Sequence, residues 1–142
     1  MNVRIKRIRP HAVLPAYQTS GAAAFDLAAA ETVTIQPGEV VLVPTGLVVE
    51  VPSGMFLAIF ARSSTPLKRG LMVANGVGVV DPDYSGPEDE VKIAVLNFRD
   101  TAATIGRGER VAQGIFLQAP RVTWMEIAEL QSPSRGGFGA TG

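Results

Sequence analysis

Cysteine is absent from the 142-residue chain, and histidine occurs once, at His11. The first absence excludes disulfides, thiolate nucleophiles and zinc–thiolate sites, and it fits a reducing compartment. The second leaves too few nitrogen ligands for a catalytic zinc. Any metal is therefore expected to be a hard, oxygen-bound ion such as Mg2+, carried in on phosphate oxygens. A Ser-His-Asp or Cys-His mechanism would have to use His11, and no G-x-S-x-G elbow accompanies it. None of Lys6, Lys68 and Lys92 follows a glycine, so there is no P-loop.

Charge is also scarce: Asp, Glu, Lys and Arg make up 18% of the residues, against about 25% in an average domain. Basic and acidic residues balance at 13 each, which leaves no positive field to draw a nucleic acid. Mean hydropathy is +0.22, yet no apolar run is long enough to span a bilayer. Residues Met1 to Pro15 interrupt their aliphatic side chains with Arg4, Lys6, Arg7 and Arg9, and read as a strand, not a signal peptide. A cytoplasmic protein with neither nucleic-acid nor membrane partners is expected. The apolar excess belongs either to a well-packed monomer or to a homo-oligomer that buries it between subunits.

The chain has the length of one domain, able to bury about 70% of its unfolded surface. Pro37-Gly38, Pro44-Thr45-Gly46 and Pro52-Ser53-Gly54 are turn signals in close succession. They separate β-branched or aromatic runs at Thr32–Gln36, Val40–Val43, Leu47–Val51 and Met55–Phe60. Further strand candidates are Leu71–Val73, Val91–Leu96, Val111–Leu117 and Arg121–Ile127. The pattern predicts an all-β sandwich or barrel. One short helix is expected after Arg62, capped by Ser64 or Thr65, with Pro66 in its first turn. Ser63 and Ser64 there form either an anion-binding corner or an ordinary cap. Residues Gln131–Gly142 include five that are glycine or proline, and predict a mobile tail.

The segment Asn75 to Gly86 puts an amide, two carboxylates and an aromatic ring on what reads as a glycine-punctuated hairpin. Gly76, Gly78 and Gly86 permit close approach to the backbone, while Val77, Val79 and Val80 favour strand. With nucleophile and zinc chemistry excluded, carboxylate-assisted attack by water remains, and Asp26, Asp81 and Asp83 are its candidates. Taken singly, each reads first as a turn residue and only second as a catalyst, Asp81-Pro82-Asp83 above all.

Several segments occur together in one order. These are Ala23-Ala24-Phe25-Asp26-Leu27, Arg62-Ser63-Ser64, the Asn75/Asp81/Tyr84 segment, Gly108-Glu109-Arg110-Val111-Ala112-Gln113, and Arg135-Gly136-Gly137-Phe138-Gly139-Ala140-Thr141-Gly142. Together they resemble the motifs of the trimeric dUTP pyrophosphatases (dUTPases) across nearly the whole chain. That resemblance implies a jelly-roll or distorted β-barrel subunit with one short helix. It implies a homotrimer, cleavage of dUTP to dUMP and pyrophosphate with Mg2+ on the triphosphate, and supply of dUMP for dTMP synthesis. Residues 1–142 would form a single domain, with 131–142 a flexible tail closing over a neighbour's site.

The resemblance also implies roles. Asp81 would activate the water. Asn75 and the main chain at Val79 and Val80 would read uracil, Tyr84 would pack beneath the deoxyribose, and Phe138 would stack on the base. Arg62, Ser63, Ser64, Gln113 and Arg135 would hold phosphates, Lys92 would contact the ligand, and Asp26 would approach the metal through water. Some positions depart from the family pattern: Ala24 and Ser64 replace glycines, the stretch from Gly86 to Val91 is lengthened, and Pro133 stands where the tail arginine is usual. A dCTP deaminase shares the fold and the Arg-Ser-Ser sequence. Its glutamate, however, falls here at Val91, or at Ile93 once the longer loop is allowed for. A non-catalytic regulatory protein on the same scaffold is the other alternative.

Overall fold

The protein is described by a computed structural model over residues 1–139; among these residues strands dominate and the only helix is a single π-type turn at Thr65–Arg69. Ala140, Thr141 and Gly142, the end of the glycine-rich motif, lie outside the described residues.

A four-stranded antiparallel sheet runs in the order β2 (Phe25–Ala28), β11 (Arg110–Gln118), β6 (Met55–Ala61), β8 (Gly78–Val80). A second sheet orders β4 (Val40–Pro44), β9 (Lys92–Asn97) and β7 (Leu71–Val73). Two antiparallel pairs complete the fold: β1 (Ile5–Arg7) with β5 (Leu47–Val49), and β3 (Val33–Ile35) with β10 (Ala103–Ile105). None of these sheets closes on itself. Alternation along the strands aims Leu57, Ile59, Leu27, Ile35, Val43, Ile93, Val95 and Ile105 into one core. The opposite face of the first sheet carries Phe56, Phe60, Ile115, Leu117 and Val79, none fully covered. Among the described residues no helix is long and apolar enough to cross a membrane.

Two polar side chains are buried at the seams and fully satisfied. Asn97 donates to the carbonyls of Ile35 and Thr101 at 3.0 and 2.8 Å, and Thr45 donates to the Val91 carbonyl at 2.6 Å. Gly46 has φ +69, and a Cβ there would lie 2.7 Å from that of Ala12 and 2.9 Å from that of Arg9. Only glycine lets the N-terminal segment cross so closely.

The structure differs from the sequence expectations in three places. Arg121–Ile127 forms no strand. Its alternation is real, but the chain offers it no partner, and Val122, Trp124 and Met125 remain exposed. The expected Asn75–Gly86 hairpin does not form: β8 is its one strand and pairs with β6, residues 81–86 are in no strand, and the Asn75–Val77 turn carries the chain from β7 in one sheet to β8 in another. Finally, the helical turn has Pro66 where expected, but Ser64 makes no side-chain cap bond. A single turn is held by the flanking strands and has little to gain from a cap.

Candidate functional site

Asp26, on β2, is the centre of an arginine-rich corner. Its Oδ1 lies 3.0 Å from Arg62 Nε and its Oδ2 3.0 Å from Arg110 Nη1. Arg62 Nη1 also donates to the Arg110 carbonyl at 3.2 Å. Arg62 follows β6, Gln113 sits directly across from both Asp26 and Phe60, and Gln113 Nε2 donates to the Ala61 carbonyl at 3.0 Å. Ser64 joins Arg62, Arg110, Lys68 and Arg69 around a cleft of about 340 Å3. Arg69 is already engaged by Glu109 and the Thr104 carbonyl.

Arg110 was not singled out from the sequence, and its position depends on a β-bulge. The β2–β11 register jumps between Arg110 and Ala112, so both Val111 and Ala112 enter the core. Without the bulge, Arg110 would share the face of Ala112. With it, Arg110 joins Asp26 and Gln113 on the opposite face. The sequence holds no clear signal for it: Val111-Ala112 is one apolar run in this strand and Ile115-Phe116-Leu117, in regular register, is a longer one.

The second assembly lies at the far end of β6. Val80 pairs with Leu57 and Val79 with Ala58, so β8 is an edge strand with one side of its main chain unpaired. Val80 faces the core while Val79 is exposed. Asn75 is exposed in the inter-sheet turn, where its carbonyl accepts from Val77 N–H at 2.8 Å. Asp81 begins the expected turn, its carbonyl accepting from Tyr84 N–H at 3.2 Å. Asp81, Pro82 and Asp83 line a cleft of about 470 Å3 with Phe56 and Arg121. Tyr84 is part-exposed, and its hydroxyl donates to the Glu90 carbonyl at 3.1 Å.

One chain does not bring the two assemblies together. Asp81 lies beside the start of β6 and Arg62 beyond its end, a separation of roughly 20 Å at the usual strand rise. Arg135 and Phe138 are exposed in the tail. Lys92 is exposed, its Nζ 4.0 Å from Glu90 Oε2.

Glu90 and Arg9 are a further pair that sequence reasoning missed, since nothing local links positions so far apart. Glu90 is buried; Arg9 grips it with Nε to Oε1 at 2.7 Å and Nη2 to Oε2 at 2.8 Å. Gly46 N–H donates to Oε1 at 2.8 Å. Burial opposes ionisation of Glu90, but hydrogen bonds from Arg9 and Gly46 and the charges of Arg9 and Lys92 outweigh it. The pKa is held below its ordinary value.

No group of three or more carboxylates and histidines able to cage a metal exists among the described residues. Asp26 is the carboxylate of the arginine corner, and with both oxygens engaged it fits contact to Mg2+ through water better than direct ligation.

Known proteins match this arrangement from end to end. The dUTPase family model matches residues 10–142. The deoxyuridine 5'-triphosphate nucleotidohydrolase of Helicobacter pylori strain P12 is 39% identical over 144 aligned positions, covering 100% of this chain and 97% of that one. The crystal structure of dUTPase from Streptococcus mutans superposes with a TM-score of 0.79 at 34% identity, over 87% of this chain and 100% of that one. At 19% identity the likeness is one of fold alone: a mutant dUTPase from phage phi11 of S. aureus, whose structure describes coordination of a structural Mg(II) ion, has a TM-score of 0.84 over 93% of this chain and 100% of that one. With a match that spans the fold, the arginine corner and the Asn75–Tyr84 segment alike, this chain belongs to the dUTPase family.

Proposed function

We propose that the protein hydrolyses dUTP to dUMP and pyrophosphate. The observation that carries the reading is the open edge of β8. Unpaired main-chain groups there, beside exposed Asn75, suit a flat base that needs donors and acceptors in its own plane, as uracil does. Tyr84 follows at the position for the deoxyribose, and Asp81 at the position for the water.

In the reaction, Asp81 orients a water and accepts its proton as the oxygen bonds to the α-phosphorus. The bond between the α-phosphorus and the bridging oxygen breaks, and that oxygen leaves on pyrophosphate. Arg62, Ser63, Ser64 and Gln113 hold phosphate oxygens, and charge-assisted bonds from Arg62 strengthen as negative charge moves to the leaving group. Asp26 would approach Mg2+ through water, and the ion, carried mainly on the triphosphate, would supply further charge neutralisation. Arg135 and Phe138 close the site with the tail, Phe138 over the base.

The separation of Asp81 from Arg62 within one chain supports a site shared between subunits. The uncovered apolar residues Val79, Leu117, Val122 and Trp124 support the same reading. A homotrimer accommodates both. Deamination of dCTP is disfavoured. Val91 and Ile93 are buried apolar residues, and Glu90, the nearest carboxylate, is committed to Arg9. Incubation with dUTP, dCTP, UTP and dTTP in the presence of Mg2+, scoring pyrophosphate and ammonia separately, tests the proposal. Pyrophosphate from dUTP alone is the expected result; ammonia from dCTP would overturn it.

A further inference from the structure

We propose that Arg9, whose side chain bonds Glu90 and Glu31, is a positioning residue for sugar discrimination, acting through Glu90 on the hydroxyl of Tyr84. This rests on the reading of Tyr84 as the group that packs beneath the deoxyribose.

The chain of contacts is continuous. Tyr84 donates to the main-chain carbonyl of Glu90 at 3.1 Å. Glu90 is 4% exposed, and it is fixed by its own side chain, with both oxygens gripped by the Arg9 fork and one shared with Gly46 N–H. Arg9 is steadied in turn by Glu31, 2.5 Å from Nη1. Val91 N–H donates to the Leu47 carbonyl at 2.8 Å, which pins the residue after Glu90. The carbonyl that receives the phenol is therefore held from two sides: by the Val91 N–H of its own peptide plane, bonded to Leu47, and by an ion pair between residues 81 positions apart that fixes the Glu90 side chain.

The loop between Tyr84 and Glu90 explains why such a device is needed. From Ser85 to Asp89 the chain forms no strand; Pro87 and Glu88 are exposed and the other three residues half-buried. Its internal ties are short-range: Gly86 N–H to Asp89 Oδ2 at 2.6 Å, and Asp89 N–H to the Gly86 carbonyl at 3.1 Å. Those ties shape the loop without anchoring it. The phenol ties the start of the loop to its end at Glu90, and the Glu90 carboxylate ties that end to Arg9 and Gly46. A displacement of the Glu90 carbonyl by about half an ångström would take the phenol bond to the limit of a hydrogen bond. A ring freed from that bond can rotate about χ1 and admit a 2′-hydroxyl. Lysine cannot reproduce the planar two-point grip of arginine, so Arg9→Lys keeps the charge and loses the geometry.

The test compares kcat/KM for dUTP and UTP in the full-length protein and its variants. Arg9→Lys is expected to raise the UTP-to-dUTP ratio about fivefold. Tyr84→Phe, which keeps the ring and removes its hydroxyl, should raise it similarly. The two combined should do no more than Tyr84→Phe alone, because residues acting through one bond are not additive. Arg4→Ala, which breaks the exposed Arg4–Glu50 pair, should leave the ratio unmoved. An Arg9→Lys protein with lowered Tm and an unchanged ratio would show the pair to be merely structural, overturning the inference. If Arg9→Lys fails to fold, the double variant Arg9→Met/Glu90→Gln removes both charges and must show the same rise. Tyr84→Ala separates the two levels. No change in the ratio there defeats the sugar-gate reading itself, whereas a change there with none in the Arg9 variants defeats only the positioning role.

Discussion

Both oxygens of Asp26 are taken by guanidinium groups, which makes this residue an anchor for Arg62 and Arg110. Asp26→Asn removes the charge that holds the two side chains, and KM for dUTP is expected to rise about tenfold, the loss of roughly one charge-assisted bond. Steady-state kinetics with KM and kcat resolved separately would check it, and an unchanged KM would remove the anchoring role. Asp81→Asn should lower kcat by about a thousandfold, within the usual range for a lost general base, while dUTP still binds in calorimetry. Near-normal turnover would dismiss Asp81 as the base. Glu90 gives a pH signature. Its folded pKa is depressed, so its contribution to stability is present above its unfolded value of 4.5 and is lost as pH falls below it. Acid melting curves should therefore show a steeper fall in Tm for the wild type than for Glu90→Gln. Asp26, Arg62 and Asp81 were legible as site residues because they sit in short, ordered motifs. Arg110, Arg9 and Glu90 were not, because a bulge and an ion pair between distant positions decide their place.

At the level of elements, alternation and turn chemistry predicted most strands. β4, β6, β7, β9 and β11 fall where runs of β-branched residues lie between glycine and proline. Periodicity says which face a residue occupies, not which strand it will pair with. That is why Arg121–Ile127 reads as a strand and forms none, and why Asn75–Gly86 reads as a hairpin although its one strand, β8, pairs with β6. β2 and β10 went unread because Asp26 and the short Ala103–Ile105 stretch break or barely begin the pattern. Gly46 shows how one position in a turn carries several elements at once. Gly46→Ala should lower stability by about 2 kcal/mol, from an unfavourable positive φ and the close Ala12 and Arg9 side chains. Denaturant titration would show this as a reduced midpoint with an unchanged slope, and a wild-type midpoint would mean the N-terminal segment can move aside.

For the whole molecule, assembly and tail closure are separable. Residues 135–139 of the tail make no strand with the body, whereas Val122, Trp124 and Met125 form an uncovered apolar stretch before them. Removing residues 135–142 should cut kcat at least tenfold by leaving the site open to water, with the oligomer unchanged in sedimentation. Removing residues 121–142 should also weaken the oligomer, and an undiminished assembly would place the subunit contacts elsewhere.

The position of β11 in its sheet has a consequence for how the protein is made. It lies between β2 and β6, yet it is the last strand to be synthesised. While the chain is on the ribosome, β2 and β6 wait as unjoined edges until Arg110–Gln118 emerges and slots between them. The arginine corner, which borrows from all three, cannot exist on a nascent chain that stops short of that point.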